Sequence, residues 1–393
     1  MAVSGPVSTA EAEILIKRAR DLAARVAARV EEIEASSALP DDIISAFIET
    51  ELAAVLVPRH RGGFELDVGT VAAIVAIFAA VCPSVAWNFC FYMGQNWVAS
   101  LLHSDFQDAH FAQGPGAALL AGSLVPTCKL TSAPSGNYIA SGRASWCSGA
   151  PHAGFIMLAG WTESDGEDRR LLMFTVPRRH VTLVDTWQVE GMRATGSVDV
   201  VINDVPVPFE HTMPLADLYA GTSHGSRLYG NPLYSRPAEL MALAYQLPVF
   251  IGASRGAADA LTTLSRSRVH TNSGAAAAGS SATRISVGTN AARAQCAEDM
   301  LSAILTDIMR PDAREHFDES RRAAIRARGA MAAHYCRDTV TDAVRTAGAN
   351  AFRKGAPLQM FFRDINMISL HPFFDSGSTA EALGTCLLAR EDA

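Results

Sequence analysis

The chain has 393 residues, enough for two or three packed layers around a large shared core. Apolar residues make up 49% and charged residues 19%; the net charge is −7, and no basic block of the kind that follows nucleic acid occurs. The seven cysteines form no Cys-x-x-Cys pair, which argues against a disulfide framework and for reduced thiols in a cytoplasmic protein.

The first apolar residues interleave with Glu11, Glu13, Lys17 and Arg18, the pattern of an amphipathic helix over 9–35 and not of a signal peptide. Ser8 or Thr9 is a plausible cap. Pro40-Asp41-Asp42 starts a second helix that runs to about Glu51, and Gly62-Gly63 marks a turn. Helices are expected over 67–81, 84–101 and 105–113. The longest apolar run, Val71 to Val81, is too short to span a bilayer, so no membrane segment is expected.

The pattern changes near residue 118. Short β-rich segments follow at 118–124, 128–132, 138–146, 155–161, 170–177, 181–187 and 198–205, separated by turn-forming clusters. They predict a compact antiparallel barrel or sandwich. From about 236 helical patterning returns, over 239–265, 286–308, 318–347 and 358–370. A low-complexity break near 271–285 reads as a flexible loop. The organisation expected is an N-terminal α-helical domain (1–117), a central β domain (118–215) and a C-terminal helical bundle of four helices (216–393), an α+β fold.

Two motifs carry the chemistry: Trp146-Cys147-Ser148-Gly149 in the β region, and Arg363-Asp364-Ile365-Asn366-Met367-Ile368-Ser369-Leu370-His371-Pro372 near the C-terminus. With the α–β–α order and Gly191-Met192-Arg193-Ala194-Thr195-Gly196-Ser197, they resemble the acyl-CoA dehydrogenase superfamily. Within it they resemble the oxygenase components of two-component (group D) flavin monooxygenases. The dehydrogenases of that superfamily commonly carry a Tyr-Glu-Gly-Thr segment after the Arg-Asp pair. Here His371-Pro372-Phe373-Phe374-Asp375 stands instead, a histidine without an adjacent glutamate.

Each residue has a plainer reading beside the one the resemblance implies. Ser148 closes a turn with Gly149, or steadies the flavin N5 side. His371 is a helix-end imidazole, or an acid–base group toward substrate. Trp146 packs in a strand, or touches the flavin ring. Arg193, Thr195 and Ser197 form a turn, or bind the cofactor. Arg268 is a solvated arginine, or pairs with the cofactor phosphate. Gly348, in Thr346-Ala347-Gly348-Ala349, resembles a turn beside the cofactor of a neighbouring subunit. Trp87, Tyr92, Gln95 and Asn96 are core, or a substrate pocket in which amides orient a flat ligand. His152 is a polar wall, or lines the same cleft. His334-Tyr335-Cys336 lacks metal-ligand spacing, so no metal is expected. No Gly-x-Gly-x-x-Gly follows a strand, so no NAD(P)H site is expected.

The resemblance implies a homotetramer that takes reduced FAD or FMN from a separate flavin reductase. It would use O2 to form a C4a-hydroperoxyflavin and hydroxylate a small aromatic or heteroaromatic substrate: a phenol, a polyketide aromatic, or an indole such as indole-3-acetate. Nitrogen or sulfur oxygenation, an acyl-CoA dehydrogenase-type flavoenzyme and a non-catalytic flavin- or partner-binding protein are the alternatives.

Overall fold

The computed structural model describes residues 9–163, 169–269, 274, 276–310 and 317–389. Six helices come first: α1 (Ala10–Ala27), α2 (Val30–Ser36), α3 (Asp41–Glu49), α4 (Val68–Ala79), α5 (Pro83–Ala99) and α6 (Ser104–His110). The single amphipathic helix expected over 9–35 is two, broken at Arg29, and the one expected over 105–113 ends at His110. Thr9 caps α1 by accepting from the Ala12 N–H at 3.1 Å. Helix α5 starts on Pro83, where the missing N–H costs nothing. It is covered on every side: every residue but Phe91 is buried, the polar Ser84, Asn88, Gln95 and Asn96 included.

Seven strands follow: β1 (Leu120–Ser132), β2 (Tyr138–Cys147), β3 (Phe155–Thr162), β4 (Leu171–Pro177), β5 (Thr182–Val184), β6 (Val198–Val207) and β7 (Thr212–Pro214). They form one sheet in the order β5-β6-β2-β1-β3-β4-β7. Two sequence expectations change here. The segments 118–124 and 128–132 are a single strand, irregular at Pro126, and β1 pairs with β3 in parallel, so the sheet is mixed and not purely antiparallel.

Two short helices, α7 (Leu215–Ala220) and α8 (His224–Leu228), lead into three long ones: α9 (Ala238–Ser267), α10 (Ser281–Met309) and α11 (Glu319–Ala347). Helices α12 (Pro357–Ile368) and α13 (Ser376–Leu388) pack on α11. The loop expected near 271–285 is shorter at its far end, because α10 begins at Ser281; residues 270–273 and 275 lie outside the described residues. One hydrophobic core runs through both helical regions and the sheet. Small residues let α4 and α9 approach closely: a Cβ at Gly252 would sit 2.4 Å from the Ala76 carbonyl oxygen.

Candidate active site

Helix α5 brings the site together, and its 3.6-residue period sorts the side chains into two sets. Asn88, Tyr92 and Asn96 recur every four residues and hold neighbouring backbone. Asn88 donates to the Ala194 carbonyl at 3.4 Å and Tyr92 to the Gly149 carbonyl at 2.9 Å. Asn96 donates to the carbonyls of Ala53, Pro115 and Ala118 and meets His110 Nε2 through Oδ1 at 2.8 Å. Tyr92 and Asn96 are both fully enclosed. The sequence placed both in a substrate pocket; their polar atoms are occupied in joining α5 to the β region and to the 53–118 loops.

The other set, Trp87, Phe91 and Gln95, also recurs every four residues. The Trp87 indole N–H donates to Ser148 Oγ at 3.2 Å, and its ring meets His371 edge to face at 5.7 Å between centres. Phe91 meets Trp87 at 5.1 Å and Tyr245 of α9 at 6.0 Å. Gln95 is buried, and its Oε1 has no hydrogen-bond partner among the described residues. The sequence-expected Ser148, His371 and Trp87 thus converge, while Phe91 and Tyr245 were missed. The four-residue step from Trp87 was the available signal for Phe91; Tyr245 had none.

Ser148 heads a chain of hydroxyls. Its Oγ lies 2.7 Å from Ser197 Oγ, which lies 2.6 Å from Thr195 Oγ1, and Thr195 donates to the Met192 carbonyl at 2.9 Å. Each hydroxyl has one proton. Thr195 gives its proton to Met192, so it accepts from Ser197; Ser197 therefore accepts from Ser148. The order is Trp87 N–H, Ser148, Ser197, Thr195, Met192 C=O. Ser148 Oγ is left with one lone pair as an acceptor, and its backbone N–H is taken by the Trp146 carbonyl at 3.0 Å.

Trp146 sits on a bulge where β2 slips against β6 between Ala144 and Cys147. Its φ is +67°, and the residue is 64% exposed, its ring meeting Trp187 edge to face at 5.3 Å. A large aromatic in left-handed backbone and turned to solvent is costly, and nothing within the chain offsets that cost beyond the Trp187 contact among the described residues.

A buried acidic cluster braces the Met192–Ser197 turn. Asp364 of α12 accepts from the Met192 N–H at 2.6 Å. The Ser84 hydroxyl lies 3.3 Å from Asp364 and 3.5 Å from Glu34 of α2, and Glu34 pairs with Arg363 at 3.0 Å. Burial pushes Asp364 up to about 8. It also raises Glu34, against the pull of Arg363 and then Arg193. Arg193, expected to bind cofactor, thus lies in electrostatic reach of Glu34, and its Nε is buried without a partner among the described residues.

His371 caps the turn Pro372–Phe374 through Nδ1, which accepts from the Phe373 N–H at 3.3 Å. Burial pulls its pKa down to about 4, so the ring is neutral near pH 7. With Nδ1 accepting, the ring proton resides on Nε2. The remaining expected residues lie in other company. His152 bonds the Leu39 carbonyl at 3.0 Å and faces Asp41, with no bond to Ser148 or His371. Arg268 donates to the Thr346 and Ala347 carbonyls at the end of α11, a cation placed where a helix terminus favours one. Gly348, at φ +66°, lies beside it. Among the described residues, no group of three or more His, Cys, Asp or Glu could hold a metal.

Two family models match, described as the acyl-CoA dehydrogenase N-terminal domain over residues 9–104 and the C-terminal domain over 245–376. A pigment production hydroxylase of Rhodococcus sp. (strain ATCC 21145) is 35% identical, over 94% of this chain and 95% of that protein. The oxygenase component of p-hydroxyphenylacetate 3-hydroxylase from Acinetobacter baumannii is 23% identical, over 96% of this chain and 89% of that protein. Among solved structures, XiaF from Streptomyces sp. in complex with FADH2 and glycerol superposes with a TM-score of 0.88. It is 25% identical, over 97% of this chain and 96% of that one.

Proposed function

The chain belongs to the acyl-CoA dehydrogenase family, and from that premise we propose how its site works as the oxygenase component of a two-component flavin-dependent monooxygenase that hydroxylates an aromatic substrate. The observation that carries the reading is the one-way hydroxyl chain headed by Ser148, joined through Trp87 to a neutral His371.

The residues present fit a flavin. Ser148 offers an acceptor, Trp146 an exposed ring on a strained bulge, and Arg193 an unpartnered buried Nε. Reduced flavin, when bound, supplies the oxygen-activating chemistry. The free lone pair of Ser148 Oγ would suit the N5–H that reduced flavin carries and oxidised flavin lacks, which would favour the reduced form. Trp146 would be available to cover the ring, and the turn of Arg193, Thr195 and Ser197 would line the cofactor side of the site. Arg268, beside Gly348, would be the guanidinium available to the cofactor's phosphate, with a neighbouring copy completing that end. His371 Nε2–H donates to the substrate oxygen or nitrogen. As a base it must first move its proton to Nδ1, giving up the long Phe373 bond at a cost of roughly 0.5–1.5 kcal/mol. Trp87, Phe91 and Tyr245 keep water from the reacting atoms.

The cofactor is reduced FAD or FMN from a separate reductase, with delivery by diffusion sufficient. The assembly is a homotetramer. Val269, Ile285, Phe352, Leu370 and Leu388 are exposed large apolar residues of the C-terminal region and support burial between copies. The location is cytoplasmic, which the seven free thiols support. None of the described helices is long and apolar enough to cross a membrane.

The test supplies reduced flavin from a generic reductase and measures oxygen uptake and hydroxylated product over a panel of aromatics. The protein alone should not oxidise NADH. Anaerobic reduction of its bound flavin by an acyl-CoA would overturn the reading in favour of a dehydrogenase.

A further inference from the structure

The Met192–Ser197 turn holds a costly shape. Met192 stands at φ +53°, in left-handed backbone that disfavours side chains. Gly191 packs so closely on α12 that a Cβ there would lie 2.6 Å from the Arg363 carbonyl oxygen. One side chain takes the Met192 N–H: Asp364 of α12, through Oδ1 at 2.6 Å. The Met192 carbonyl ends the hydroxyl chain that Ser148 heads. Asp364 therefore holds the residue on which that chain terminates.

Behind Asp364 the protons can be counted. Its Oδ2 lies 3.3 Å from Ser84 Oγ, and Glu34 Oε1 lies 3.5 Å from the same oxygen. All three groups are buried. Ser84 has one proton to give. With both carboxyls ionised, one carboxylate oxygen would face the hydroxyl oxygen with no proton between them, a costly contact away from water. A proton on one carboxyl satisfies both contacts. Burial disfavours charge on either acid, but Glu34 is paired with Arg363 at 3.0 Å and feels Arg193 as well. Asp364 has no ion pair among the described residues, and Glu34 acts on it more strongly than Arg363 does. The Cys82 thiol, which both acids act on, is buried and stays neutral. The order that results runs from the Asp364 O–H to Ser84, from the Ser84 O–H to Glu34, and from Glu34 to Arg363.

Resting on the oxygenase reading for its effect on turnover, we propose that Asp364 is a positioning residue that works as a neutral acid, donating to Ser84 and accepting from Met192, and so sets the turn that directs the Ser148 hydroxyl. Ionisation of Asp364 sets two carboxylates against one hydroxyl proton. It loosens the junction of α2, α5 and α12 on which the turn rests, and the hydroxyl chain loses its fixed direction.

Asp364→Asn copies the neutral acid, since its amide oxygen accepts from Met192 and its amide N–H donates to Ser84. The test takes infrared difference spectra, wild type minus Asp364→Asn, across pH. At about pH 6, where an ordinary aspartate is ionised, the difference should show the carbonyl band of a protonated carboxylic acid. Half of that band should be lost near pH 8. Affinity for reduced flavin and product per reduced flavin consumed should fall along the same curve in wild type and stay level in Asp364→Asn. A band that survives in Asp364→Asn and vanishes in Glu34→Gln would put the proton on Glu34 and overturn the proposal. The same pH dependence of flavin affinity in wild type and Asp364→Asn would overturn it too. The expected band and flavin affinities in a protein that oxygenates no aromatic would leave Asp364 in its role and overturn the oxygenase reading instead.

Discussion

Trp87 and His371 meet edge to face, 5.7 Å between ring centres, while the same indole donates its N–H to Ser148. One side chain of α5 thus ties the hydroxyl chain to the imidazole. Trp87→Phe keeps the ring contact and removes the donor. It should leave the fold intact and cost about 0.5–1.5 kcal/mol of stability. It should also raise H2O2 and lower product per reduced flavin consumed. Unchanged coupling would mean that the indole N–H serves packing alone.

Ser148→Ala removes the head of the hydroxyl chain. Reduced flavin should lose its binding advantage over oxidised flavin, and oxygen should be diverted to H2O2. Flavin titrations of both redox states, with product and H2O2 measured together, check this. Equal affinities in wild type would count against an acceptor role for Ser148.

For His371 the pH dependence is the sharpest readout. Its pKa is depressed to about 4, so the stability of the neutral, buried ring is present above the unfolded value and lost as pH falls through about 4. The hydroxylation rate should show no limb from His371 between about pH 8 and 5, where an ordinary histidine near 6.5 would titrate. His371→Ala should slow product formation by about a hundred- to ten-thousand-fold while binding of reduced flavin persists.

Asp364 tests the brace behind the site. Its carboxyl is raised to about 8, so its contribution to stability is present at low pH and lost as pH rises through that value. Asp364→Asn keeps an oxygen for the Met192 N–H and cannot ionise. Its melting temperature should gain on wild type between about pH 5 and 9. A difference independent of pH would show that Asp364 carries no such penalty.

Asn96→Ala separates frame from pocket. It strips partners from three carbonyls and from His110, and each buried group left unpaired costs about 1–3 kcal/mol. Melting temperature should fall by several degrees, with KM unchanged in the protein that remains folded.

The α–β–α order was legible because periods of 3.6 and 2 leave different traces along the chain, and Ser148 and His371 stood out through short motifs. What stayed hidden depended on partners far away in sequence. Asn96 looked like a pocket amide because nothing local reveals that Ala53, Pro115 and Ala118 each turn a carbonyl toward it. The parallel pairing of β1 with β3 leaves no mark in strand alternation. Tyr245 reaches the site only because Gly94 has no side chain: a Cβ there would lie 2.4 Å from the tyrosine ring. Trp146 read as strand; its outward turn comes from register slippage against β6, a relation between two strands and not a property of either.

The two sets of residues on α5 differ in how freely they can diverge. Asn88, Tyr92 and Asn96 each answer to specific backbone oxygens, so drift there is punished by misfolding. Phe91 makes ring contacts alone, and Gln95 Oε1 has no hydrogen-bond partner among the described residues, so replacing them strands fewer groups. A library randomised at 91 and 95 should therefore keep more folded members than one randomised at 88, 92 and 96, and any shift in substrate preference would be read against an intact scaffold.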